Sequence, residues 1–208
     1  LQAHRRDVLS FLREKTFGAF PEDAVPLDLR WEFRAADGAE HGRDTYSFAS
    51  ESDYRLKIDV RWRQAPETAS LMMLVLRSPD EDRWASEGFI GGLDKNWNLA
   101  YFETRGIGET GWAPNLQWHI RRSTAWTGRT VASMRVYDVL RCLQALRTLE
   151  VAGPDGKFAI AARGEMGAIA LYAALLDGNV SAVVLRDPPA TQNAPSQPDG
   201  RGEAIEML

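Results

Sequence analysis

The sequence of 208 residues contains one cysteine and three histidines, and both shortages limit its chemistry. A single cysteine, Cys142, excludes an internal disulfide, so cysteine usage leaves the compartment undetermined. Cys142 lies in an apolar helical pattern together with Val139 and Leu146. A small apolar side chain in this setting favours a buried structural role over a catalytic thiol.

The chain also lacks a basic excess and a long apolar run. Its formal net charge of −4 and its pI near 5.5 argue against a nucleic-acid-binding surface. No apolar segment approaches the ~20 residues of a membrane-spanning helix. The first residues, 1–15, lack the apolar core of a signal peptide. We therefore expect neither nucleic acid nor a membrane span.

Cofactor and metal motifs are missing as well. The glycine-rich segment 103–112 has neither the G-x-x-x-x-G-K-[ST] spacing of a phosphate loop nor the G-x-G-x-x-G of a dinucleotide site. No second metal ligand stands at helical or hairpin spacing from His119. The sequence therefore predicts no cofactor and no metal.

The hydrophobic patterns predict one α/β domain over residues 1–208. It divides into an N-terminal helix and linker (1–25, with the helix over 4–15), edge strands (26–65), an α/β core (70–187), and a loop and tail (188–208). Two alternating segments, 26–35 and 53–62, predict antiparallel strands, with the polar stretch 40–52 as a loose connection.

Four continuous apolar runs predict strands that are buried on both faces of a parallel sheet: 70–77, 98–104, 157–162 and 181–187. Helical patterns over 122–150 and 165–177 separate the later runs. Strand and helix alternation of this kind indicates a doubly wound, mostly parallel sheet with an antiparallel N-terminal extension.

The segment 157–190 has the order of a nucleophile elbow, in which a buried strand turns tightly into a helix. The elbow of hydrolases reads G-x-S-x-G. Aligned on the helix that follows, Gly164 takes the position of the serine, and a shift of one residue places Glu165 there instead. Gly164 has no nucleophile, and a carboxylate is a poor nucleophile toward an acyl carbon. Glu165 is more simply an exposed first-turn carboxylate that the helix dipole favours.

The histidines support the same conclusion. Hydrolases of this kind order their triad as serine, then acid, then histidine. His4, His41 and His119 all precede the turn at Gly164, so none can be the base in that order. Asp187 follows the last predicted strand as an acid would, but Asp-Pro-Pro is also ordinary turn chemistry. The sequence therefore predicts that the triad is absent.

A second glycine-rich turn, 103–112, follows the predicted strand 98–104 and is a candidate rim of a pocket. The rim candidates are Arg105, Gly106, Gly108, Thr110, Trp112, Arg163 and Asp187. Tryptophans can stack on sugar rings, but core packing is the preferred interpretation of Trp112, Trp118 and Trp126.

The run from 98 to 190 resembles the acetyl xylan esterase branch of bacterial α/β-hydrolases, related to prolyl-oligopeptidase-like hydrolases. Residues 105–110 match the R-G-x-G-x-S/T turn of that branch. Arg135 and Asp138 match the arginine and aspartate of the helix before the elbow strand. The resemblance implies a carbohydrate ligand and an extracytoplasmic location, whereas the replaced serine departs from the family pattern.

Three hypotheses follow. The first is a pseudoenzyme: a degenerate hydrolase-like domain that serves as a scaffold, interface or binding module beside another domain or chain of the same protein. The second is an active carbohydrate ester hydrolase or deacetylase whose machinery is displaced, for instance to Ser123 or Ser133, or comes from elsewhere in the protein or from a partner. The third is a small-molecule receptor.

The chain starts without methionine and stops before the strands that would carry acid and histidine, so we expect a piece of a longer protein.

Overall fold

The computed structural model describes residues 2–38, 41–62, 71–79, 81, 90, 97–149 and 158–190. The described strands are β1 (Arg30–Asp37), β2 (His41–Glu51), β3 (Tyr54–Trp62), β4 (Leu71–Leu76), β5 (Trp97–Phe102), β6 (Phe158–Arg163) and β7 (Ala182–Arg186). The described helices of two turns or more are α1 (Gln2–Phe11), α2 (Gln117–Trp126), α3 (Val131–Arg147) and α4 (Met166–Asp177).

All seven strands belong to one mixed sheet in the order β1-β2-β3-β5-β4-β6-β7. Strands β4 to β7 run parallel to one another, and β1 to β3 continue the sheet as an antiparallel extension that pairs with β5. The predicted α/β architecture with an antiparallel N-terminal extension is confirmed. Strands β1 and β7 form the two edges of the described sheet.

The extension contains a strand that the sequence pattern did not predict. The polar stretch 40–52, expected to be a loose connection, forms β2, the longest strand of the described sheet, with 11 residues. Its polar side chains pair across the strands: Asp44 with Arg34, and Thr45 with Asp59. These pairs satisfy polar groups that are buried in the sheet, so the strand does not need the apolar alternation used to recognise one.

Strand β1 differs from its prediction in a related way. It begins at Arg30, and Trp31 and Phe33 are exposed where alternation predicted a half-buried face. The register with β2 shifts between Trp31 and Phe33, and a shift of this kind interrupts the regular alternation of faces. The Arg34 guanidinium lies 4.6 Å from the centre of the Trp31 ring, so this edge strand is covered by its own side chains.

The predicted helix over 122–150 is two helices. Residues between α2 and α3 include Gly128, whose φ of +73° is a conformation that glycine adopts without strain. Helix α3 then starts with a capping box: the Ser133 amide donates to Thr130 Oγ1 and the Thr130 amide donates to Ser133 Oγ, both at 3.0 Å. The cap provides a local signal for a new helix start within one apolar pattern.

Helices α3 and α4 pack on one face of the sheet and form the larger core. Its fully buried members include Phe48, Phe102, Ile160 and Leu146. Cys142 is buried in this core as predicted, and burial raises the pKa of its thiol well above the ordinary value. A smaller buried cluster on the opposite face includes Met73, Tyr101 and Ala161.

The N-terminal segment is less regular than predicted. Helix α1 ends at Phe11 and continues as a π-helical turn over Leu12–Thr16. Leu12 and Phe17 are buried, whereas Val8 and Phe11 are exposed. The described helices contain no segment long and apolar enough to cross a membrane.

The capping box yields a stability prediction. Thr130→Ala should lower the free energy of unfolding by about 1 kcal/mol, because the Ser133 amide loses its acceptor. The matched control is Ser123→Ala. The exposed Ser123 hydroxyl donates to a carbonyl of its own helix at 2.9 Å, and its loss should cost about 0.5 kcal/mol or less. Urea unfolding of both variants measures the difference, and equal effects would contradict the assignment of the cap.

Candidate functional site

The carboxyl ends of the parallel strands bring two predicted turns to the same edge of the sheet. The glycine-rich turn follows β5, and the turn at Gly164 and Glu165 follows β6. Strand β4 lies between them and ends at Leu76. Ligand sites of open α/β sheets lie at this edge, outside the carboxyl ends of the strands.

The turn between β6 and α4 distinguishes the two registers that the sequence left open. Gly164 has a φ of +53°, and Glu165 has a φ of −58°, an ordinary helical value. The Gly164 amide donates to the Arg186 carbonyl of the neighbouring strand at 2.9 Å. The sharply turned residue is therefore Gly164. Among the described residues, no heavy atom lies within 4 Å of a Cβ built on Gly164, so they leave room for a side chain at the turn.

Glu165 is half-buried and lies in an ion pair, which differs from the exposed carboxylate that we predicted. Its Oε1 is 3.4 Å from Nη1 of Arg135, and Arg135 is itself buried. Arg135 also donates from Nε to the main-chain carbonyl of Arg105 at 3.1 Å. One buried guanidinium therefore connects the two turns of the candidate site.

The glycine-rich turn is built on two left-handed glycines. Gly106 and Gly108 have φ values of +76° and +57°. A Cβ on Gly106 would lie 2.1 Å from the Trp112 ring, and one on Gly108 would lie 1.9 Å from a Glu103 carboxylate oxygen. Trp112 therefore packs directly against the main chain of the turn, where no other residue would leave it room.

Thr110 closes this turn through its hydroxyl. Thr110 Oγ1 accepts from the Gly106 amide at 3.0 Å and lies 3.1 Å from the Ile107 carbonyl. The Trp112 indole donates to the side-chain amide oxygen of Gln117 at the start of α2. The rim candidates Arg105, Gly106, Gly108, Thr110 and Trp112 thus form one connected structure.

Arg105 lies at the centre of a buried ionic cluster. Its Nε and Nη2 donate to the two oxygens of Asp138 at 2.8 and 2.6 Å, and Nη2 also donates to Glu51 at 2.7 Å. Asp138 also accepts the Arg105 amide at 3.1 Å and the Ser50 hydroxyl at 2.6 Å. Arg129 donates two hydrogen bonds to Glu51 at 3.0 and 3.1 Å. The carboxylates are saturated by these donors.

The cluster perturbs two ionisation equilibria in the direction expected for paired charges. Burial by itself lowers the pKa of Arg105, but its hydrogen bonds and the charges of Asp138 and Glu51 outweigh burial and raise it. Burial likewise raises the pKa of Glu51, but hydrogen bonds from Arg129 and the charge of Arg105 lower it below the ordinary value. Both side chains stay charged and paired at neutral pH.

The remaining rim candidates lie nearer to Gly164. Arg163 is partly exposed, with Nε 3.9 Å from the Glu81 carboxylate, and its carbonyl accepts the Ser78 hydroxyl at 3.3 Å. Asp187 follows β7 with a φ of +48°, and its side chain is 89% exposed and 3.6 Å from Arg186. Asp187 thus lies one residue from the carbonyl that binds the Gly164 amide.

The histidines are exposed and lie away from the turn. His41 starts β2, which runs in the same direction as β5 because β3 is antiparallel to both, so His41 lies at the sheet edge opposite to Gly164. His4 lies on α1, and His119 on α2 stacks edge-on against Trp118 at 5.6 Å between ring centres. No hydrogen bond within the described chain joins a histidine to Gly164 or Glu165. The described residues also contain no cluster of three or more potential metal ligands.

The prediction that Trp118 and Trp126 pack in the core is wrong. Their exposed fractions are 56% and 85%. Helix α2 presents them eight residues apart, with Arg122 midway and its guanidinium 4.4 Å from the centre of the Trp118 ring. The three side chains share one face of the helix because residues four apart are neighbours on a helix surface. The four-residue spacing was visible in the sequence, but spacing by itself does not indicate whether a helix face is buried or exposed.

A cavity of about 260 Å³ lies on the sheet face opposite to α3 and α4. Side chains from β1, β2, β3 and the glycine-rich turn line it. Gly164 and Glu165 are not among its lining residues, so it is separate from the turn after β6.

The seven-stranded order and the strand–turn–helix at Gly164 define an α/β-hydrolase fold. A Bacteroides fragilis protein described as a candidate acetyl xylan esterase has a TM-score of 0.69 at 12% identity, covering 86% of this chain and 52% of that chain. Acetyl xylan esterase 1 of Thermoanaerobacterium has a TM-score of 0.65 at 12% identity, covering 92% and 64%. A glucuronoyl esterase of Solibacter usitatus has a TM-score of 0.62 at 13% identity, covering 86% and 56%.

The chain therefore shares the fold of these esterases and spans about half to two thirds of their lengths. No protein-family profile matches the chain, and no curated protein matches it by sequence.

The ionic cluster yields a second stability prediction. Asp138→Ala should lower the free energy of unfolding by about 3–5 kcal/mol, because it leaves the buried Arg105 charge without its main partner. The control, Glu109→Gln, breaks an exposed pair with Lys57 and should cost about 1 kcal/mol or less. Urea unfolding at pH 7 compares the two variants. A cost for Asp138→Ala no larger than that of the control would contradict the central role of the cluster.

The lowered pKa of Glu51 yields a prediction of pH dependence. A carboxyl with a lowered folded pKa contributes stability above its unfolded value, which is near 4.5, and loses it as pH falls through the folded value. The native protein should therefore lose more stability than Glu51→Gln between pH 6 and pH 3. Urea unfolding along this pH series is the measurement, and parallel curves for the two proteins would contradict the pairing.

Proposed function

We propose that the chain is a catalytically inactive α/β-hydrolase-like domain of a carbohydrate-esterase-like protein, serving there as a binding and scaffold module. The observation that carries this proposal is Gly164. It has the left-handed backbone of a sharp strand-to-helix turn and no side chain to act as a nucleophile. The turn therefore has the backbone conformation of a nucleophile elbow but lacks the nucleophilic side chain.

The neighbouring acidic residues support an inactive site. Glu165 is paired with the buried Arg135, so its carboxylate is already held by a guanidinium and is a poor candidate for attack on an acyl carbon. Asp138 and Glu51 are saturated by arginine donors and have structural roles. Asp187 follows β7, where the acid of a triad would stand, but no described histidine contacts it.

The displaced-machinery hypothesis has less support. Ser133 is buried in the capping box of α3, and Ser123 is bonded to a carbonyl of α2. Ser123 Oγ donates to the main-chain carbonyl of His119 and not to its imidazole, and the Ser133 hydroxyl bonds to Thr130. An activated serine instead donates to an imidazole nitrogen. A nucleophile or a histidine from another part of the protein or from a partner remains the alternative that the experiment below tests.

A binding role agrees with two exposed features. The open space above Gly164 leaves room for a ligand group that a nucleophile would otherwise contact. The face formed by Trp118, Arg122 and Trp126 offers aromatic surfaces on which sugar rings can stack. A carbohydrate ligand is therefore proposed for this domain.

The edges of the described sheet suit contact with another domain or chain of the same protein. Val184 of β7 and Trp31 of β1 are exposed, and unpaired strand edges favour further pairing. We propose that such a partner covers the edge at β7.

The test combines a fluorophosphonate probe with an acetyl-ester turnover assay on the purified protein. We expect no covalent adduct by intact mass and no turnover above buffer. A stoichiometric adduct together with turnover would overturn the proposal, and the labelled peptide would identify the residue that replaces the missing serine.

Gly164→Ser tests whether only the nucleophile is missing. We expect no gain of turnover, because no histidine is placed to accept the serine proton. Gly164→Ala is the matched control: both side chains have room, and both should cost about 1–2 kcal/mol from the left-handed backbone. Turnover by the serine variant alone would show that a base and a charge-stabilising site are already in place, and would favour the displaced-machinery hypothesis.

A further inference from the structure

Helix α2 (Gln117–Trp126) lies outside both hydrophobic cores of the described chain. None of its residues is buried, and none belongs to either core cluster. The hydrogen bond from the Trp112 indole to Gln117 holds its first turn against the glycine-rich turn. Helices of fewer than ~12–15 residues are marginal in water by themselves, so most are stabilised by the packing of a buried face. The exposed side of this ten-residue helix is therefore a surface that a partner can cover.

One stripe of the helix combines two tryptophans with an arginine, and we call Trp118, Arg122 and Trp126 the Trp–Arg–Trp face. The exposed fractions of the two tryptophans are 56% and 85%, and Trp126 is the most exposed large apolar side chain of the described residues. Covering an apolar ring of this size removes it from water, which is favourable. The two rings therefore favour a partner that has flat apolar surfaces.

The charge of Arg122 is exposed, and no described carboxylate pairs with it. Its guanidinium lies 4.4 Å from the centre of the Trp118 ring. Stacking on an aromatic ring uses the flat face of a guanidinium, so the N–H donors, which lie in its plane, stay available to another partner. Because the side chain is exposed, an acceptor can reach these donors from solvent.

The sequence around α2 contains no acidic residue that would balance this charge. Residues 110–137 include no aspartate and no glutamate, although the whole chain has a formal net charge of −4. Two further arginines of this stretch, Arg129 and Arg135, are already paired with carboxylates within the fold. Arg122 therefore gives the exposed face a local positive charge, which favours an anionic partner.

The order of the three side chains distinguishes between kinds of anionic partner. Residues four apart lie ~6 Å apart along a helix axis, so ring, cation and ring follow one another at equal steps on one stripe. On a helix that lies on a membrane surface, apolar and cationic residues occupy opposite faces instead. A polymer of acidic sugars presents apolar ring faces and anionic groups repeatedly along one chain. It can therefore contact both kinds of side chain in the stripe.

We propose that the Trp–Arg–Trp face binds an acidic polysaccharide, with sugar rings stacked on Trp118 and Trp126 and an anionic group of the polymer on Arg122. The inference rests on the proposed carbohydrate-binding role of the domain and adds that the ligand is charged. Carboxylate and sulfate groups both offer several oxygens, which a guanidinium can bind through two N–H donors. The two anions are therefore separate arms of the test.

The test is isothermal titration calorimetry of the whole chain with three soluble celluloses that share one backbone. Carboxymethyl cellulose and cellulose sulfate carry the two anions, and hydroxyethyl cellulose is neutral. Poly-L-glutamate supplies carboxylates without sugar rings. At least one of the charged celluloses should bind about fivefold more tightly, or better, than hydroxyethyl cellulose and polyglutamate, as expected for one exposed ion pair or one stacked ring.

The outcomes separate this inference from the proposal on which it rests. Equal binding of hydroxyethyl cellulose would overturn the anionic ligand and leave the carbohydrate-binding role in place. Equal binding of polyglutamate would overturn the role of the sugar rings and favour an acidic peptide as the partner. Binding of none of the four polymers would overturn both the inference and the proposed carbohydrate ligand.

Three variants test whether the site is on α2. Arg122→Gln should weaken binding of the preferred charged cellulose about fivefold and remove its preference over hydroxyethyl cellulose. Trp126→Ala should weaken charged and neutral celluloses alike, by about threefold or more, because ring stacking does not depend on charge. Arg6→Gln is the matched control, since Arg6 is an exposed arginine of α1 that stacks on no aromatic ring of the described chain, and it should change affinity by less than about twofold. Unchanged binding in Arg122→Gln, or an equal loss in Arg6→Gln, would overturn the proposal.

Discussion

The carboxylate of Asp138 holds together parts of the chain that are far apart in sequence. It accepts the side chain and the main-chain amide of Arg105 after β5, and the hydroxyl of Ser50 at the end of β2. Asp138 itself belongs to α3, the helix that covers the sheet. One fully buried carboxylate thus fixes the position of a helix, a strand end and a turn. Buried charges require this degree of pairing because desolvation is otherwise too costly.

The candidate site depends on that arrangement. Because Asp138 holds Arg105, the Arg105 carbonyl can accept Arg135, and Arg135 then reaches Glu165 beside Gly164. The glycine-rich turn and the turn after β6 are therefore positioned by one chain of hydrogen bonds. The acidic residues of this chain of hydrogen bonds are each paired with arginine. This pairing supports our proposal that the domain is catalytically inactive.

Much of the fold was accessible from local patterns. The four apolar runs predicted the parallel strands, because strands buried on both faces need no polar face. The absence of serine at Gly164 and Glu165 was visible directly, whereas the choice between them required backbone torsions. Strand β2 was missed because Asp44, Thr45 and Ser47 are satisfied by partners on β1 and β3, which a single sequence does not display. The exposure of Trp118 and Trp126 was missed for a similar reason, since burial depends on neighbours supplied by other elements.

The sequence by itself determined the class of fold, the positions of the parallel strands along the chain and the absence of a serine at the turn. Each of these follows from local residue type and spacing. Only the tertiary structure decided that Gly164 is the sharply turned residue and that Arg105, Asp138 and Glu51 form one cluster. The torsion of Gly164 and the distances within the cluster depend on contacts between residues far apart along the chain, which strand pairing and helix packing bring together.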